Sequence, residues 1–341
     1  VFNNHSTSSE EILNLKQRIL EENFREGKGA SKKEDIKESY INRILESVNL
    51  NKNLNISIDC GNGVAGVIAK DVYERLGCNV IELYGELDGS FPNHHPDPSK
   101  LENMEDLIKS VKENDSVVGL AFDGDADRLG VISPKGEMIF PDRQMIMFSR
   151  QVIQSSPNAK IVFDVKCSKL LSDEIEKLKG KPLICKTGHT FIKQKIRETD
   201  ALLGGEMSGH IFFNDRWPGF DDGIYAGARM LEIIANSEEE DQFVSVPDML
   251  STPEINIPSA DEEKFQIVKT FIEKSKFNDA KIVSIDGIRV EFETGWGLLR
   301  ASNTSPCLVL RFEAETNDHL NKIKEIFYLG LKSIKPNINK F

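Results

Sequence analysis

The sequence predicts an α/β protein with two similar mixed α/β sheet domains, followed by a smaller α+β C-terminal domain. Three observations lead to this fold class. Strand and helix patterns alternate from about residue 36 to residue 250, which is typical of sheets covered by helices. The layout of this stretch is repeated from about residue 139, which suggests a structural duplication, although no sequence repeat is visible. After about residue 251, strand patterns joined by short turns lie between two helical patterns.

The length of the chain, 341 residues, exceeds what one ordinary hydrophobic core accommodates. We predict one α/β domain at residues 36–138, a second at 139–250 and the α+β domain at 251–341. Residues 10–24 have the spacing of an amphipathic helix. Because one such helix cannot bury its apolar face alone, we expect either the tail of a preceding domain or a helix docked on the next one.

The apolar patterns also predict the order of elements within each domain. For the first domain they predict strands at 56–59, 80–84, 117–122 and 129–132 and helices at 64–76 and 101–113. For the second domain they predict strands at 161–163, 183–185 and 201–203 and helices at 143–154, 169–179, 190–198 and 223–235. For the last domain they predict strands at 282–285, 288–292, 297–301 and 308–313 and helices at 264–275 and 319–333.

The composition argues against several classes of protein. Asp and Glu number 55 against 43 Lys and Arg, and the formal charge of −12 is opposite to the basic surface that binds nucleic acid. No apolar run approaches the roughly 18 residues of a membrane span, and we expect neither membrane contact nor a signal peptide. The five cysteines include no CxxC pair, so neither a disulfide framework nor a zinc site is indicated. We therefore predict a cytoplasmic protein.

Three carboxylates follow the apolar run 117–122, at Asp123, Asp125 and Asp127. Gly124 permits the sharp turn that such a short loop needs. Three like charges so close together repel each other unless a cation lies among them. Oxygen ligands in a small loop suit Mg²⁺, which keeps coordination positions for water or a substrate phosphate. A solvated acidic turn is the alternative, but apolar runs on both sides favour a metal site at the edge of a core.

Two loops of the second domain place basic side chains after predicted strands. Lys166 follows the strand at 161–163 and is either a surface charge or a cation near a phosphate. Residues 186–190 form a strand-to-helix turn of the kind that binds phosphate at the start of a helix. Within this turn, His189 is either a helix cap, a core histidine or a substrate contact.

A glycine-rich loop at residues 204–210 carries Glu206, Ser208 and His210 at alternate positions. In an extended chain these three side chains would point the same way. A carboxylate and a hydroxyl suit the paired hydrogen bonds of vicinal sugar hydroxyls, and His210 could move a proton near neutral pH. The alternative is a glycine hinge without chemistry.

Two further loops carry polar groups. Residues 300–306 supply Arg300, Ser302, Asn303 and Thr304 beside exposed backbone N–H groups, which together suit an anion; a simple polar turn is the alternative. Residues 85–100 contain three prolines and two histidines. They form either an extended surface loop or a segment that lies across a cleft.

The segments DGDADR, GEMSGH and RASNTSP occur in an order and spacing that resemble the α-D-phosphohexomutase superfamily. The last two together resemble its bacterial phosphomannomutase/phosphoglucomutase branch, and the resemblance covers nearly the whole chain. It implies a four-domain enzyme whose first three domains share one α/β topology. Residues 1–35 would then be the remnant of an N-terminal domain, 36–138 a metal-binding domain, 139–250 a sugar-binding domain and 251–341 a phosphate-binding domain.

The same resemblance implies roles for the loop residues. As Mg²⁺ ligands it implies Asp123, Asp125 and Asp127. As candidate catalytic residues it implies His210, Lys166 and Arg128. As substrate-binding residues it implies His189, Glu206 and Ser208 near the sugar, with Arg300, Ser302, Asn303 and Thr304 on the phosphate that is not transferred. Which residue acts as the general base stays open.

The implied activity is the interconversion of hexose 1-phosphate and hexose 6-phosphate, with glucose or mannose as the sugar, through a bisphosphorylated intermediate. The implied cofactors are Mg²⁺ and, as activator, glucose 1,6-bisphosphate or mannose 1,6-bisphosphate. A hexose phosphate is the expected partner, and nucleic acid and membranes are not. A monomer and a homodimer are both compatible with the resemblance.

One departure from the family pattern concerns the nucleophile. The family carries a phosphoserine in a TASHNP-like loop, and the nearest text in these 341 residues, at 4–7, lacks its flanking pattern. We therefore expect the chain as given to be inactive by itself. Two alternatives stay open: a phosphosugar-binding remnant without catalysis, and a phosphatase with Asp123 as phosphoryl acceptor and Asp125 as acid. The third carboxylate, Asp127, speaks against the phosphatase.

Overall fold

The computed structural model describes residues 9–238 and 242–341; the segment 4–7 considered above lies outside them. The helices in these ranges are α1 (Ser9–Leu20), α2 (Lys37–Ser47), α3 (Ala69–Arg75), α4 (Glu105–Glu113), α5 (Pro141–Ser155), α6 (Lys169–Lys177), α7 (His189–Thr199), α8 (Gly223–Ala235), α9 (Asp261–Lys274) and α10 (Asn317–Lys332). Short 3₁₀ turns at Val64–Val67 and Leu101–Met104 come before α3 and α4.

The strands of the first sheet are β1 (Asn55–Asp59), β2 (Asn79–Leu83), β3 (Val118–Phe122), β4 (Leu129–Ile132) and β5 (Met138–Ile139). Their spatial order is β2-β1-β3-β4-β5. The first three are parallel, and β4 and β5 are antiparallel to their neighbours. Every residue of β3 is buried, as expected for a central parallel strand covered on both faces. Because parallel strands end at the same edge, the loops after β1 and β3 meet there.

The second sheet repeats this arrangement with β6 (Lys160–Asp164), β7 (Lys181–Cys185), β8 (Leu203–Gly205) and β9 (Ile211–Phe213). The order is β7-β6-β8-β9, again with three parallel strands and one antiparallel strand. The predicted mixed sheets and the predicted structural duplication are therefore confirmed.

The third sheet is antiparallel and belongs to the α+β part of the chain. Its strands are β10 (Leu250–Ser251), β11 (Ile255–Pro258), β12 (Lys281–Val283), β13 (Ile288–Phe292), β14 (Gly295–Ala301) and β15 (Cys307–Ala314). Their order is β10-β15-β14-β13-β12, and β11 also pairs with β15. One hydrophobic core fills the space between this sheet and helices α9 and α10, and a second, larger core runs through both α/β domains.

One strand of the second domain is shifted along the chain from its predicted position. The strand predicted at 201–203 lies at Leu203–Gly205 instead. A Cβ at Gly204 would lie 2.7 Å from Ile196 Cδ1, and one at Gly205 would lie 2.3 Å from Met145 Sδ. The strand therefore uses glycines because helices α7 and α5 pack directly on its backbone.

Helix α1 confirms the helical spacing predicted near the N-terminal end. Its apolar side chains at Ile12, Leu15 and Ile19 are each more than half exposed. The helix therefore does not bury its apolar face on the described residues, and the second alternative, a helix docked on the following domain, is wrong for this structure.

Candidate functional site

The acidic loop, residues 123–128, is a tight turn between β3 and β4. The backbone N–H of Ala126 donates to the carbonyl of Asp123 at 3.1 Å, and Ala126 has the left-handed φ of 62°. This turn brings carboxylate oxygens of Asp123, Asp125 and Asp127 within 4.8 Å of one another. The three predicted metal ligands thus converge, and Asp125 is the solvent-exposed member.

The loop after β1 packs against the acidic loop. The N–H of Val64 donates to the carbonyl of Gly124 at 3.1 Å. A Cβ at Gly63 would lie 2.8 Å from that same carbonyl oxygen, so the close approach of the two loops requires glycine at residue 63. Glycine here was not predicted as a site residue, because its partner lies 61 positions further along the sequence.

Arg128 is fixed by two carboxylates. Its backbone N–H and its Nε donate to Asp123 at 3.0 and 2.6 Å, and its Nη1 donates to Asp97 at 3.1 Å. Burial raises the pKa of Asp123 to about 6, although the bonds from Arg128 act in the opposite direction. Asp97 belongs to the segment 85–100, whose Pro96 and Pro98 are buried. The segment therefore packs against the acidic loop and is not a free surface loop.

The predicted sugar-binding loop, residues 204–210, which we call the sugar loop, lies beside the acidic loop. The N–H of Leu129 donates to the carbonyl of Gly209 at 3.1 Å, and Arg128 and His210 form an antiparallel bridge. This pairing joins the two α/β sheets at the site. The first domain's metal ligands and the second domain's histidine are adjacent for this reason.

The side chains of the sugar loop converge through a turn and not through an extended chain. The N–H of Gly209 donates to the carbonyl of Glu206 at 3.1 Å, which closes the turn. As a result Ser208 Oγ and Glu206 Oε2 both lie near Nδ1 of His210, at 2.9 and 3.3 Å. Nε2 of His210 lies 3.3 Å from Asp127 Oδ1. Burial alone would lower the pKa of His210, but its bonds to Asp127 and Glu206 raise it to about 9.

His189 is the first residue of α7 and is neither a cap nor a core residue. Its side chain is 49% exposed, and its Nδ1 lies 3.2 Å from Asp221 Oδ2. Lys193 Nζ donates to the other oxygen of Asp221 at 2.9 Å. Burial opposes ionisation of Asp221, but the bonds from His189 and Lys193 lower its pKa to about 2. Asp221 was missed in the sequence; its only local signal is the acidic pair before α8.

Lys166 is buried, with 6% of its surface exposed. Its Nζ lies 2.6 Å from Glu254 Oε1 and 3.9 Å from Asp164 Oδ2, so it is not the surface charge considered above. Burial would lower the pKa of Lys166, but the two carboxylates raise it. Together with Ser208 and Met207 it lines a cavity of about 490 Å³. The cavity also borders the first and third domains, which makes it the meeting point of all three.

The predicted phosphate loop follows β14. Ser302 is buried, and its Oγ accepts from the backbone N–H groups of Thr304 and Ser305 at 3.3 and 3.1 Å. Asn303 and Thr304 are exposed at the tip. The loop is therefore a preformed turn whose tip groups are open to solvent.

Arg300 precedes this loop and points toward the second domain. Its Nε donates to Asp286 Oδ2 at 2.9 Å, and the backbone N–H of Thr187 donates to the same oxygen at 3.1 Å. Asp286 was missed in the sequence. It links the phosphate loop of the third domain to the turn that carries His189.

The comparisons with known proteins agree with this architecture. Models of three consecutive domains of one family match the chain: phosphoglucomutase/phosphomannomutase alpha/beta/alpha domain II at residues 38–136, alpha/beta/alpha domain III at 140–248 and the C-terminal domain at 254–329. The chain belongs to the phosphoglucomutase/phosphomannomutase family. The predicted family resemblance is thereby confirmed, whereas the predicted domain limits and residue roles remain predictions.

Relatives within the phosphoglucomutase/phosphomannomutase family are close in sequence and structure. A phosphomannomutase/phosphoglucomutase of Pseudomonas syringae is 48% identical over 97% of this chain and 72% of its own length. A phosphoglucomutase of Neisseria gonorrhoeae is 48% identical over 89% of this chain and 67% of its own length. The crystal structure of a family protein from Burkholderia thailandensis superposes with a TM-score of 0.93 at 43% identity, covering 98% of this chain and 72% of that one.

Within residues 9–238 and 242–341, no helix combines the length and the apolar character needed to cross a bilayer.

Proposed function

We propose that this chain carries the metal, sugar and phosphate sites of a phosphohexomutase that interconverts hexose 1-phosphate and hexose 6-phosphate, with glucose or mannose as the sugar. One observation carries the proposal. The sugar loop pairs with the acidic loop through the bridge between Arg128 and His210, so a carboxylate cluster and sugar-binding groups meet at one edge. The family assignment supports the same activity.

The acidic loop suits Mg²⁺ by its donor set. Three carboxylates from Asp123, Asp125 and Asp127 converge, and oxygen donors in a small loop are the ligands of this ion. When bound, Mg²⁺ would offset the negative charge of a phosphoryl group in transfer. Arg128 would hold Asp123 in place and keep a positive charge beside the loop.

The second domain would orient the sugar and handle the proton. We propose that Glu206 and Ser208 bind sugar hydroxyls and that His189 and Lys166 lie on either side of the bound substrate. His210 would hold a proton at Nε2, facing Asp127, because Nδ1 is engaged by Ser208. A protonated His210 can donate its proton to a substrate oxygen that gains negative charge. The neutral imidazole that remains can then accept a proton in return.

The third domain would bind the phosphate that is not transferred. Arg300, Ser302, Asn303 and Thr304 supply one guanidinium, two hydroxyls, an amide and backbone N–H groups near the tip of the loop. The bisphosphorylated intermediate has a phosphate at each end, so this loop would have to accept either one after the sugar turns over. Glucose 1,6-bisphosphate or mannose 1,6-bisphosphate would serve as activator, in a cytoplasmic setting.

Turnover requires a phosphoryl donor in addition to these sites. We expect the 341 residues alone to bind a hexose phosphate without converting it, because they contain no TASHNP-like serine loop. Phosphorus NMR with glucose 1-phosphate, Mg²⁺ and glucose 1,6-bisphosphate tests this directly. Broadened glucose 1-phosphate lines without 6-phosphate would support the proposal. Formation of 6-phosphate would show that a phosphoryl acceptor lies within these residues.

Arg300→Ala tests the phosphate loop itself. A charged hydrogen bond to phosphate contributes about 1.5–3 kcal/mol, so the variant should bind glucose 1-phosphate and glucose 6-phosphate about 10- to 100-fold more weakly. Arg197→Ala is the matched control, because Arg197 is exposed on α7. Unchanged affinity of Arg300→Ala for both isomers would refute the proposed phosphate site. Acid-quench trapping of an acyl phosphate on Asp123 would favour the phosphatase instead.

A further inference from the structure

Four metal-ligating side chains meet beside the acidic loop, and only one of them belongs to it. Asp127, His189, His210 and Asp221 each offer one ligand atom, and these atoms all lie within 4.8 Å of one another. His189 begins helix α7, His210 belongs to the sugar loop, and Asp221 comes from the segment before α8. We call these four residues the histidine cluster.

The spacing within the histidine cluster fits a four-coordinate transition metal. Zn–N and Zn–O bonds of about 2.0–2.1 Å in a tetrahedron separate neighbouring ligand atoms by about 3.3–3.4 Å. Nδ1 of His189 lies 3.2 Å from Asp221 Oδ2, and Nε2 of His210 lies 3.3 Å from Asp127 Oδ1. Two of the ligand–ligand distances of a tetrahedron are therefore already present. The other pairs of ligand atoms are separated by no more than 4.8 Å and would have to approach to the tetrahedral distance.

The surroundings of the histidine cluster orient its ligands. A metal-bound histidine usually has its second ring nitrogen hydrogen-bonded to a carboxylate or another polar group. Nδ1 of His210 meets this condition, because Ser208 Oγ lies 2.9 Å and Glu206 Oε2 lies 3.3 Å from it. Lys193 occupies only Oδ1 of Asp221, which leaves Oδ2 for a metal.

An ion could also reach the histidine cluster. Half of the His189 side chain is exposed to solvent, and the side chains of His210 and Asp127 are 18% and 28% exposed. The donor set differs from that of the acidic loop, because imidazole nitrogens suit Zn²⁺, Ni²⁺ and Cu²⁺ and carboxylates alone suit Mg²⁺. Asp127 belongs to both sets and would stand between the two ions.

We propose that Asp127, His189, His210 and Asp221 form a second metal site, which binds Zn²⁺ and similar transition ions in preference to Mg²⁺. An ion at this site withdraws both histidines from a bound sugar phosphate and so makes the cleft sensitive to transition metals. That consequence rests on the proposed function. The metal site itself does not, because its test needs no substrate and no turnover.

Titration with Co²⁺, followed by visible absorption, tests the second site on the chain as it exists. A tetrahedral site with nitrogen donors gives intense bands, and an octahedral all-oxygen site gives weak ones. His189→Gln should lose the intense bands and bind Zn²⁺ at least about tenfold more weakly, since even a supporting residue contributes that much. Asp125→Asn, which alters only the acidic loop, should keep them.

Three outcomes would overturn the proposal. The first is weak bands alone in the unaltered chain. The second is equal band intensity in His189→Gln and in the control His95→Gln, whose histidine is exposed outside the cluster. The third is loss of the bands in Asp125→Asn together with their retention in His189→Gln, which would place the ion in the acidic loop. Because His189 is half exposed, we expect His189→Gln to fold, and circular dichroism checks this.

Discussion

The two interfaces between the three domains are built from different kinds of residue. Between the two α/β domains one hydrophobic core runs continuously through both, and hydrogen bonds such as that of Tyr40 to Asp222 accompany it. Helix α8 of the second domain lies close to the first: a Cβ at Gly227 would lie 3.2 Å from Leu120 Cδ1 and 2.3 Å from Tyr73 Oη. The Tyr73 hydroxyl donates to the carbonyl of Ile224 at 2.9 Å.

Between the second and third domains the contact is mainly charged. Glu313 is fully buried and accepts from Arg143 at 3.0 Å, from Ser168 at 2.6 Å and from Trp296 at 2.7 Å. Arg311, also buried, donates to Asp142 at 3.1 Å. A small apolar cluster around Trp296 is the accompanying hydrophobic contact.

The difference between the interfaces indicates which parts of the site move together. Burial of apolar surface stabilises an interface in proportion to its area, whereas buried ion pairs recover little more than their desolvation cost and mainly fix geometry. We therefore expect the acidic loop and the histidine cluster to lie on one rigid unit. The phosphate loop lies on a domain with a polar interface, for which relative motion is the ordinary expectation.

The largest expected effects come from core truncations on each side of the polar interface. Leu120→Ala and Phe327→Ala each remove a fully buried side chain and should lower the free energy of unfolding by about 3–5 kcal/mol. Leu120→Ala should increase amide hydrogen exchange throughout both α/β domains, because they share a core. Phe327→Ala should do so in the third domain only.

Hydrogen exchange by mass spectrometry in the native state measures this difference. Leu87→Ala and Leu329→Ala are matched controls, because both leucines are more than half exposed. If Phe327→Ala accelerated exchange in the first domain as much as in the third, the third domain would not unfold separately from the two α/β domains.

Glu313→Gln tests the charged interface itself. Removal of one partner from a buried ion pair leaves the others uncompensated, at a cost of about 3–5 kcal/mol. Arg143 and Trp296 would lose their charged acceptor, and the third domain should become easier to separate from the second. Urea unfolding measures the loss of stability, with Glu315→Gln, at an exposed position of the same region, as control. Equal stability of the two variants would contradict the structural role of the network.

The sequence was sufficient to predict loops that local chemistry defines. Asp123, Asp125 and Asp127 stand out because like charges follow an apolar strand, and the glycines around Glu206 mark a turn. For such residues the information lies within a few positions of the chain. The two loops follow strands of different sheets, and the bridge between Arg128 and His210 that brings them together was not predicted.

The residues that the sequence did not reveal depend on contacts between domains. Arg289 and Arg311 alternate with apolar residues in strands β13 and β15, a pattern that normally indicates a solvent-facing side. That side is buried against the second domain: Arg289 donates to the carbonyl of Val165 at 2.8 Å, and Arg311 donates to the carbonyl of Lys166. Asp286 is missed for the same reason, because its partner Thr187 is distant in sequence.

His94→Gln tests whether the rigid unit is also held by a charged contact at its surface. Nε2 of His94 lies 3.0 Å from Asp59 Oδ2, and this bond raises the pKa of His94 to about 9 although burial opposes it. Because the pKa of His94 is higher in the folded state, protonation of His94 stabilises the fold. This stabilisation is fully present at pH values below 6.5, the pKa of His94 in the unfolded chain. That stabilisation disappears as the pH rises through about 9, and it amounts to at most about 3 kcal/mol.

Urea unfolding of the unaltered chain and of His94→Gln between pH 6 and pH 10 measures this contribution. The difference in unfolding free energy between them should be largest at pH 6 and should shrink by up to about 3 kcal/mol toward pH 10. His95→Gln, at the exposed neighbouring position, should show no such pH dependence. A difference that stays constant with pH would mean that His94 contributes only by packing.

Asp286→Asn should have the smallest effect. It tests the contact between the second and third domains at the site itself. Asp286 Oδ2 accepts from Thr187 of the second domain and from Arg300 of the third. Replacing the carboxylate by a neutral amide removes a charge-assisted bond worth about 1 kcal/mol more than its neutral counterpart. Glucose 1-phosphate should therefore bind up to about tenfold more weakly, as measured by isothermal titration calorimetry, whereas Asp279→Asn at an exposed position should leave the affinity unchanged. A loss of affinity as large as that of Arg300→Ala would mean that Arg300 binds phosphate only when Asp286 holds the two domains together. An unchanged affinity would mean that Arg300 acts independently of the second domain.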